Sequence, residues 1–308
     1  WGRSYTFKIS SIGKFADGAI FAQYGDTAVL NTVVSERQDM GAEGKGFMPL
    51  TVDYREKRFA IGEIPGSWNK KEMFNPDTEI LVARKLDRSI RPMFDNGFFY
   101  DTQVISTVYA YDGMNSPDVV SINGASLALQ CSDIPWKGPL AAVRLGMVDG
   151  AYVVMPTVEE LARSDFDLLY VGTQNACVMI ECEANQVHER EIAAAMGHAH
   201  KMIQPIIEFQ KDFARRRGNK KFTRKLTAPS KELMKAAMEI GKESADEMWT
   251  KQRPRSKADR GRLQHQFTSN LYKDLANKFP HEQPLVLNIA ATKVLENSVR
   301  DLSINTNT

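Results

Sequence analysis

The sequence has few cysteines, no Cys/His cluster with zinc spacing and no long hydrophobic run. Three cysteines in 308 residues, Cys131, Cys177 and Cys182, exclude a disulfide-stabilised scaffold. Each lies in an apolar run, which predicts that all three are small core residues. No apolar run approaches the roughly 20 residues that span a bilayer. We therefore expect a soluble, intracellular-type protein, and the start at Trp1 without methionine predicts a processed or trimmed product.

The charge is distributed unevenly along a chain of otherwise globular composition, with 43% hydrophobic and 25% charged residues. Residues 1–210 hold 19 basic and 27 acidic residues, residues 211–262 hold 17 and 7, and residues 263–308 hold 4 of each. This asymmetry predicts a boundary near residue 210 and a polyanionic partner. Alternatively, the basic runs at 215–217 and 220–221 form a solvated linker, and charge alone leaves both interpretations open.

Periodicity predicts strands and helices in the first two thirds and helices alone afterwards. The pattern indicates an α+β fold, in which helices cover one face of a mixed sheet, followed by an all-α domain. The strongest hairpin signal is Asp149-Gly150. One helix is predicted to begin at residues 75–79, with Asn75 as its cap, and further helices are predicted at 122–130 and 188–213. The predicted domains are a core at 1–212, a basic linker at 213–229 and a helical domain at 230–308 with helices at 230–249 and 257–278.

Residues 53–100 combine an aromatic residue, Trp68, with lysines and arginines. A ring can stack on a base and a cation can contact a phosphate, so this combination is typical of a site for single-stranded nucleic acid. Arg84 and Arg88 share one helical face because they are four residues apart. The alternative is that Arg84 and Arg88 pair with Glu79 and Asp87, and that the tryptophan of the stretch packs. The candidate nucleic-acid-binding residues are Trp68, Asn69, Lys70, Lys71, Arg84, Arg88 and Arg91.

The same region closely resembles the first core of polynucleotide phosphorylase. Further likeness runs in order through residues 13–205, whereas residues 225–308 resemble the family's helical linker only in position and helicity. The motifs that carry the resemblance are Val52-Asp53-Tyr54-Arg55-Glu56-Lys57, Gly62-Glu63-Ile64-Pro65-Gly66, Trp68-Asn69-Lys70-Lys71, Leu86-Asp87-Arg88-Ser89-Ile90-Arg91-Pro92-Met93-Phe94 and Ile122-Asn123-Gly124-Ala125-Ser126.

The resemblance implies a ribonuclease-PH-like core with a fold like domain 2 of ribosomal protein S5. It also implies a phosphorolytic 3′-5′ exoribonuclease in which two such cores are joined by a helical domain and followed by KH and S1 domains. Three chains would close a ring of six cores, and inorganic phosphate would shorten single-stranded RNA to nucleoside diphosphates. The catalytic site, with Mg²⁺, would lie in a second core that these residues do not contain. The stretch from Tyr100 to Trp136 is most similar to the animal mitochondrial branch, which implies a mitochondrial location.

The chain departs from active cores of that family at the phosphate site. Where they have a serine-rich turn, this chain has Asn115-Ser116-Pro117-Asp118. Proline supplies no N–H, and a carboxylate about 4 Å from a phosphate repels it by roughly 4 kcal/mol at an effective dielectric constant of about 20. We therefore expect this core to bind no phosphate and to contain no catalytic residue.

Other departures weaken metal binding and RNA binding. The aspartate pair Asp165 and Asp167 lacks the lysine that follows it in active cores, so we predict a surface pair and no metal site. The motif Trp68-Asn69-Lys70-Lys71 resembles a loop of the family with two aromatic and two basic residues. In this loop, Asn69 replaces the second aromatic residue, and Lys70 and Lys71 stand where the family often has arginine. His188, His198 and His200 lie on a predicted helix, where packed or exposed histidines are commoner than general bases.

Two alternatives to the polynucleotide phosphorylase interpretation remain at this stage. One is a non-catalytic RNA-binding scaffold that resembles the inactive cores of exosome-like rings. The other is an active single core like ribonuclease PH itself, which the turn at Pro117 and Asp118 disfavours.

Overall fold

The computed structural model describes residues 4–37, 47–64, 66 and 76–306. The chain divides into two compact units. The first comprises most of the residues up to Arg224, and the described residues of the second are 47–48, 96–99 and those from Lys225 onward. The division falls inside the stretch predicted as a linker. Within the described residues, no helix is both long enough and apolar enough to cross a membrane.

Within the described residues, the first unit contains two sheets rather than the single sheet predicted from sequence. The strands of the first are β1 (Tyr5–Ile9), β2 (Gly18–Tyr24), β3 (Thr27–Ser35), β4 (Leu50–Glu56) and β5 (Thr102–Ala110). They lie in the order β1–β2–β3–β5–β4, and this sheet is mixed because β4 runs parallel to β5 while the other pairs are antiparallel. The mixed sheet of the predicted α+β fold is confirmed.

The second sheet is antiparallel. Its strands are β6 (Ala141–Val148), β7 (Ala151–Val154), β8 (Phe166–Gly172) and β9 (Cys177–Ala184), in the order β7–β6–β8–β9. The predicted hairpin is confirmed, because Asp149 and Gly150 join β6 to β7 with φ values of 53° and 76°. Two successive positive φ values are those of the type I′ turn that matches strand twist.

The helices of the first unit are α1 (Asp77–Ile90), α2 (Pro117–Cys131), α3 (Val158–Ala162) and α4 (Glu189–Arg217). Helix α2 is almost entirely buried and packs against β2, β3 and β6. Its small residues permit this approach, since a Cβ on Gly124 would lie 2.1 Å from the Asn31 side chain. Asn123 ties α2 to the second sheet by donating to the Ala142 carbonyl at 3.0 Å and accepting from the Ala142 N–H at 2.8 Å.

Helix α2 begins five residues earlier than predicted, because Ser116 occupies the N-cap position and Pro117 the first helical position. A proline is well suited to that position, where its missing N–H has no intrahelical partner. The first turn of α2 therefore contains Asp118, and this places the turn Asn115-Ser116-Pro117-Asp118 at a helix N-terminus.

The basic segment after α4 is fixed to the core and is not a solvated linker. Arg215 and Arg216 pair with Asp212 within α4. Residues 218–224 then follow the C-terminal end of α2. Lys221 donates to the carbonyls of Leu129 at 2.6 Å and Ser132 at 2.7 Å. Burial lowers the pKa of Lys221 to about 8. Its amino group helps to cap the C-terminal end of α2, where the Leu129 carbonyl also accepts from the Ser132 hydroxyl at 2.8 Å.

The second unit is helical, as predicted. Its helices are α5 (Lys231–Glu247), α6 (Lys257–Lys278) and α7 (Pro284–Thr306), with a π-helical turn at Met248–Gln252. Helix α7 was not predicted from sequence. Its apolar residues, including Leu287 and Val294, join Leu233 of α5 and Leu271 and Leu275 of α6 in one buried cluster.

Candidate functional site

Hydrogen-bond donors from the N-terminal end of α2, from β6 and from α1 surround the Asp118 carboxylate. The carboxylate accepts from the Ser116 hydroxyl at 2.6 Å and from the backbone N–H of Val119 at 2.7 Å. The Arg144 guanidinium donates to it at 2.9 Å, and the Lys85 ammonium lies 3.5 Å away. A helix N-terminal N–H, a hydroxyl, a guanidinium and an ammonium together form the donor set of an anion site. Here a carboxylate of the chain itself occupies that donor set, which we call the Asp118 cradle.

The cradle is buried, so its charges depend on one another. Asp118 is 4% exposed and the Arg144 side chain 10% exposed. Burial alone would raise the pKa of Asp118, but Arg144, the Ser116 hydroxyl and Lys85 together hold it below its ordinary value. A buried carboxylate stays ionised only when such partners replace its lost hydration.

Arg144 also contacts Asp167 on β8, with the guanidinium Nε 3.1 Å from the carboxylate. The prediction of a surface pair is therefore wrong for Asp167, which is half-buried, whereas Asp165 is exposed. Burial raises the pKa of Asp167 despite the neighbouring Arg144. A carboxylate committed to a buried guanidinium is poorly suited to hold a cation.

The basic face of α1 is directed towards β9. Lys85 lies 3.4 Å from Glu181 on β9 as well as close to Asp118, and Arg88 donates to Glu181 at 3.0 Å. Arg91 donates to Asp87 at 2.7 Å and to the Leu50 carbonyl at 3.2 Å. The pairings considered from sequence are wrong, because Asp87 binds Arg91 and Glu79 lies 3.6 Å from Arg55.

The structure brings the three predicted arginines to one cavity. A cavity of about 290 Å³ is lined by Arg84, Asp87, Arg88, Arg91 and Pro92. Arg84 is exposed and has no carboxylate partner among the described residues. Arg88 and Arg91 are partly neutralised, so Arg84 has the least compensated positive charge of the three. The other predicted RNA-binding residues, Trp68, Asn69, Lys70 and Lys71, lie outside the described residues.

Arg84 and Arg91 should respond differently to substitution. Arg84→Gln is expected to lower RNA affinity without changing the free energy of unfolding, because the side chain is exposed. Arg91→Gln is expected to lower stability by about 1–2 kcal/mol, since it breaks charge-assisted bonds to Asp87 and Leu50. Urea denaturation and RNA titration of both variants measure the contrast. Equal losses of RNA affinity with unchanged stability would contradict a bracing role for Arg91.

Lys85 and Arg144 were missed by the sequence analysis. Arg144 lies in an apolar strand, and charged residues are rarely buried without a partner. This rule could have indicated a buried carboxylate near Arg144, but the partner, Asp118, is 26 positions away in the sequence.

The prediction of core cysteines is wrong for two of the three, and the sequence left the histidines without a specific role. Cys131 is buried as predicted, but Cys177 and Cys182 are exposed on the edge strand β9. His188 caps α4 by accepting from the N–H of Arg190 at 3.1 Å. His200 lies 3.0 Å from the Tyr170 hydroxyl.

Comparison with known proteins supplies independent findings on this core. Residues 2–135 match the 3′ exoribonuclease family, domain 1, and residues 138–202 match the same family, domain 2. The crystal structure of rice (Oryza sativa) Rrp46 has a similar fold, with a TM-score of 0.53 at 20% identity, covering 69% of this chain and 95% of the rice chain.

Curated relatives carry the name polyribonucleotide nucleotidyltransferase. The chain is 37% identical over 304 residues to one from Methylacidiphilum infernorum, a match that covers 97% of this chain and 43% of the relative. It is 40% identical over 250 residues to one from a Geobacter species, covering 78% and 36%. It is 44% identical over 207 residues to one from Brucella ovis, covering 67% and 29%. The chain thus spans less than half the length of these relatives. With both family domains in order and these homologues, the chain belongs to the 3′ exoribonuclease family.

Proposed function

We propose that this chain is the N-terminal part of a polynucleotide phosphorylase, in which its core holds single-stranded RNA and contributes to the ring while its own phosphate site is inactive. The observation that carries the proposal is the Asp118 carboxylate within the donor set of an anion site. Homologous enzymes support the phosphorolytic activity of the whole protein.

The carboxylate disfavours phosphate in two ways. It occupies the Ser116 hydroxyl, the Val119 N–H and the Arg144 guanidinium, which are the donors a phosphate would need. It also repels an approaching anion, by roughly 4 kcal/mol at about 4 Å and an effective dielectric constant of about 20. Pro117 adds to this effect because it offers no N–H to a ligand.

The residues of this core do not fit a magnesium ion. Asp167 is committed to Arg144, and the described residues contain no group of three or more His, Cys, Asp or Glu side chains able to hold a metal. We therefore assign the Mg²⁺ and the inorganic phosphate of the reaction to the second core of a longer protein. In that core, phosphate would cleave the terminal phosphodiester bond of RNA and release a nucleoside diphosphate.

We expect the first core to contribute contacts to RNA. Arg84 presents an exposed cation at the arginine-lined cavity, and the loop of Trp68, Asn69, Lys70 and Lys71 adds one ring and two further cations. Such contacts read the RNA backbone and stack bases without regard to sequence, so binding should be strongly salt-dependent.

The assembly and location of the protein are part of the same proposal. We infer a homotrimer with six cores in its ring for the full-length protein, and a mitochondrial location from the likeness of the stretch from Tyr100 to Trp136. Light scattering of a longer natural form tests the first inference, and a fluorescent fusion in animal cells tests the second. The alternative of a non-catalytic ring scaffold requires that a longer form lack phosphorolysis, whereas the length of the homologous enzymes supports a second core.

Replacing Lys70 and Lys71 together with alanine tests the grip on RNA. Each phosphate contact contributes about 0.7 to the slope of log affinity against log salt for single strands. The double variant is therefore expected to bind RNA more weakly and to lower this slope by about 1.4. Fluorescence anisotropy of a labelled oligoadenylate across a potassium chloride series measures it. An unchanged slope would show that Lys70 and Lys71 do not contact RNA phosphates.

A further inference from the structure

The strongly basic segment at 211–262 consists of two parts with different environments. In the first part, Arg215 and Arg216 pair with Asp212, and Lys221 caps α2. Arg224 lies over the Tyr100 ring and donates to the Glu36 carbonyl. These contacts engage part of the charge of the first unit, although Arg217 and Lys220 are exposed.

The second part lies in the helical unit, and its charge is directed to solvent. Residues 251–262, which we call the basic turn, hold six lysines and arginines against one acidic residue, Asp259. All six cationic side chains are exposed. Within the described residues, the side chains of Arg255, Lys257 and Arg260 have no carboxylate partner. Unpaired cations this close in sequence repel one another and favour a polyanion.

The local backbone holds the basic turn in a defined conformation. After the π-helical turn, Arg253 adopts a left-handed conformation with φ of 42°, and its Nε donates to the Thr250 carbonyl at 2.9 Å. Ser256 then caps α6 by accepting from the N–H of Asp259 at 3.0 Å. The positive end of the α6 dipole therefore lies among the cations.

The chemistry of the basic turn fits a nucleic-acid backbone better than an acidic protein. Protein interfaces have an apolar or aromatic core, but residues 251–262 contain no exposed large hydrophobic side chain. Arginine, lysine and hydroxyl side chains near a helix N-terminus are the groups that contact phosphates. From these observations we propose that the basic turn is a second contact surface for RNA, bound through Arg255, Lys257 and Arg260 to successive phosphates. The proposal rests on the proposed function, because it takes RNA as the substrate.

The test compares two triple variants of the whole chain with equal charge loss. In the first, Arg255, Lys257 and Arg260 are replaced by glutamine. In the control, the substitutions are Lys235→Gln, Lys273→Gln and Lys278→Gln, which remove three exposed cations of the same unit outside the basic turn. A labelled 20-nucleotide oligoadenylate is titrated across a potassium chloride series, with poly-L-glutamate as a second probe at matched ionic strength.

We expect the first variant to lose about 2 from the salt slope, because three phosphate contacts contribute about 0.7 each. Its affinity at low salt should fall at least tenfold, while the control should stay within twofold of the wild type. Equal slopes in both variants would overturn the proposal, as would tight binding to poly-L-glutamate with no change in RNA binding, which would indicate an acidic protein partner. If replacing Lys70 and Lys71 leaves RNA binding unchanged while the basic-turn variant binds RNA more weakly, the proposed RNA-binding role of the core is contradicted and the basic turn is supported.

Discussion

Asp118→Asn is expected to lower the free energy of unfolding by about 3–5 kcal/mol, the largest effect on stability that we predict. The substitution preserves shape but removes the negative charge that Arg144 binds at 2.9 Å. Removing one partner of a buried ion pair leaves the other charge desolvated and uncompensated, at a cost of about 3–5 kcal/mol. Urea denaturation followed by circular dichroism measures the difference.

The control for Asp118→Asn is Asp165→Asn, because Asp165 is an exposed carboxylate. Its substitution should change stability by no more than about 0.5 kcal/mol. Combining Asp118→Asn with Arg144→Gln removes both charges, so the double variant should be more stable than the sum of the single losses predicts. An unfolding midpoint for Asp118→Asn equal to that of the wild type would contradict a buried, paired carboxylate.

The contribution of Asp118 should also depend on pH. Because its pKa is held below the ordinary value of 3.8, the folded state favours the ionised form more than the unfolded chain does. The stabilisation is present at neutral pH and is lost as the pH falls through the folded pKa. The stability difference between wild type and Asp118→Asn should therefore shrink in strongly acidic solution.

Trp68→Ala is expected to weaken single-stranded RNA binding by about 1–3 kcal/mol, or about 5–150-fold. Asn69 replaces the second ring of the related loops, so the remaining stacking in this loop depends on a single side chain. Duplex RNA should lose much less, since its bases are already stacked on one another. Titration of matched single-stranded and duplex oligonucleotides measures the two losses.

Phe15→Ala is the matched control for the loop tryptophan. Phe15 is a fully exposed aromatic residue at 102% and is not among the candidate RNA-binding residues, so its removal should leave RNA affinity unchanged. Equal losses for single-stranded and duplex RNA on Trp68→Ala would indicate that the ring packs against the protein and does not stack on bases.

The sequence predicted the parts of the fold that depend on local patterns. The hairpin at Asp149 and Gly150 was predictable because only a few residues adopt two successive positive φ values. The long helix α4 was predictable because Ala195, Ala199, Ile203 and Ile207 repeat every four residues and pack on β6 and β8.

Long-range pairings were not predictable in the same way. Strands β6–β9 form a second sheet because of which strand edges pair with one another. The alternation of apolar and polar residues along a single strand does not encode this pairing. The cradle likewise depends on Lys85, Asp118 and Arg144, which are far apart in the sequence and meet only in the fold. The aspartate in this turn predicted that Asp118 would repel phosphate. The sequence did not predict that the Asp118 carboxylate accepts hydrogen bonds from the donors that a phosphate would need.

Charge counting indicated a basic segment but could not separate its structural and solvent-directed halves. Lys221 and Lys257 are both lysines in that segment, yet Lys221 donates to two carbonyls of α2 while Lys257 is exposed. Only the partners of each side chain distinguish a helix cap from a candidate contact for RNA.

The most direct test of a core that holds RNA but has no working phosphate site is a phosphorolysis assay on this chain. The chain is incubated with labelled single-stranded RNA, Mg²⁺ and inorganic phosphate, and nucleoside diphosphate release and bound RNA are measured in the same samples. The account predicts that RNA is bound and that no nucleoside diphosphate is released. Sustained, phosphate-dependent release of nucleoside diphosphates from this chain would contradict it.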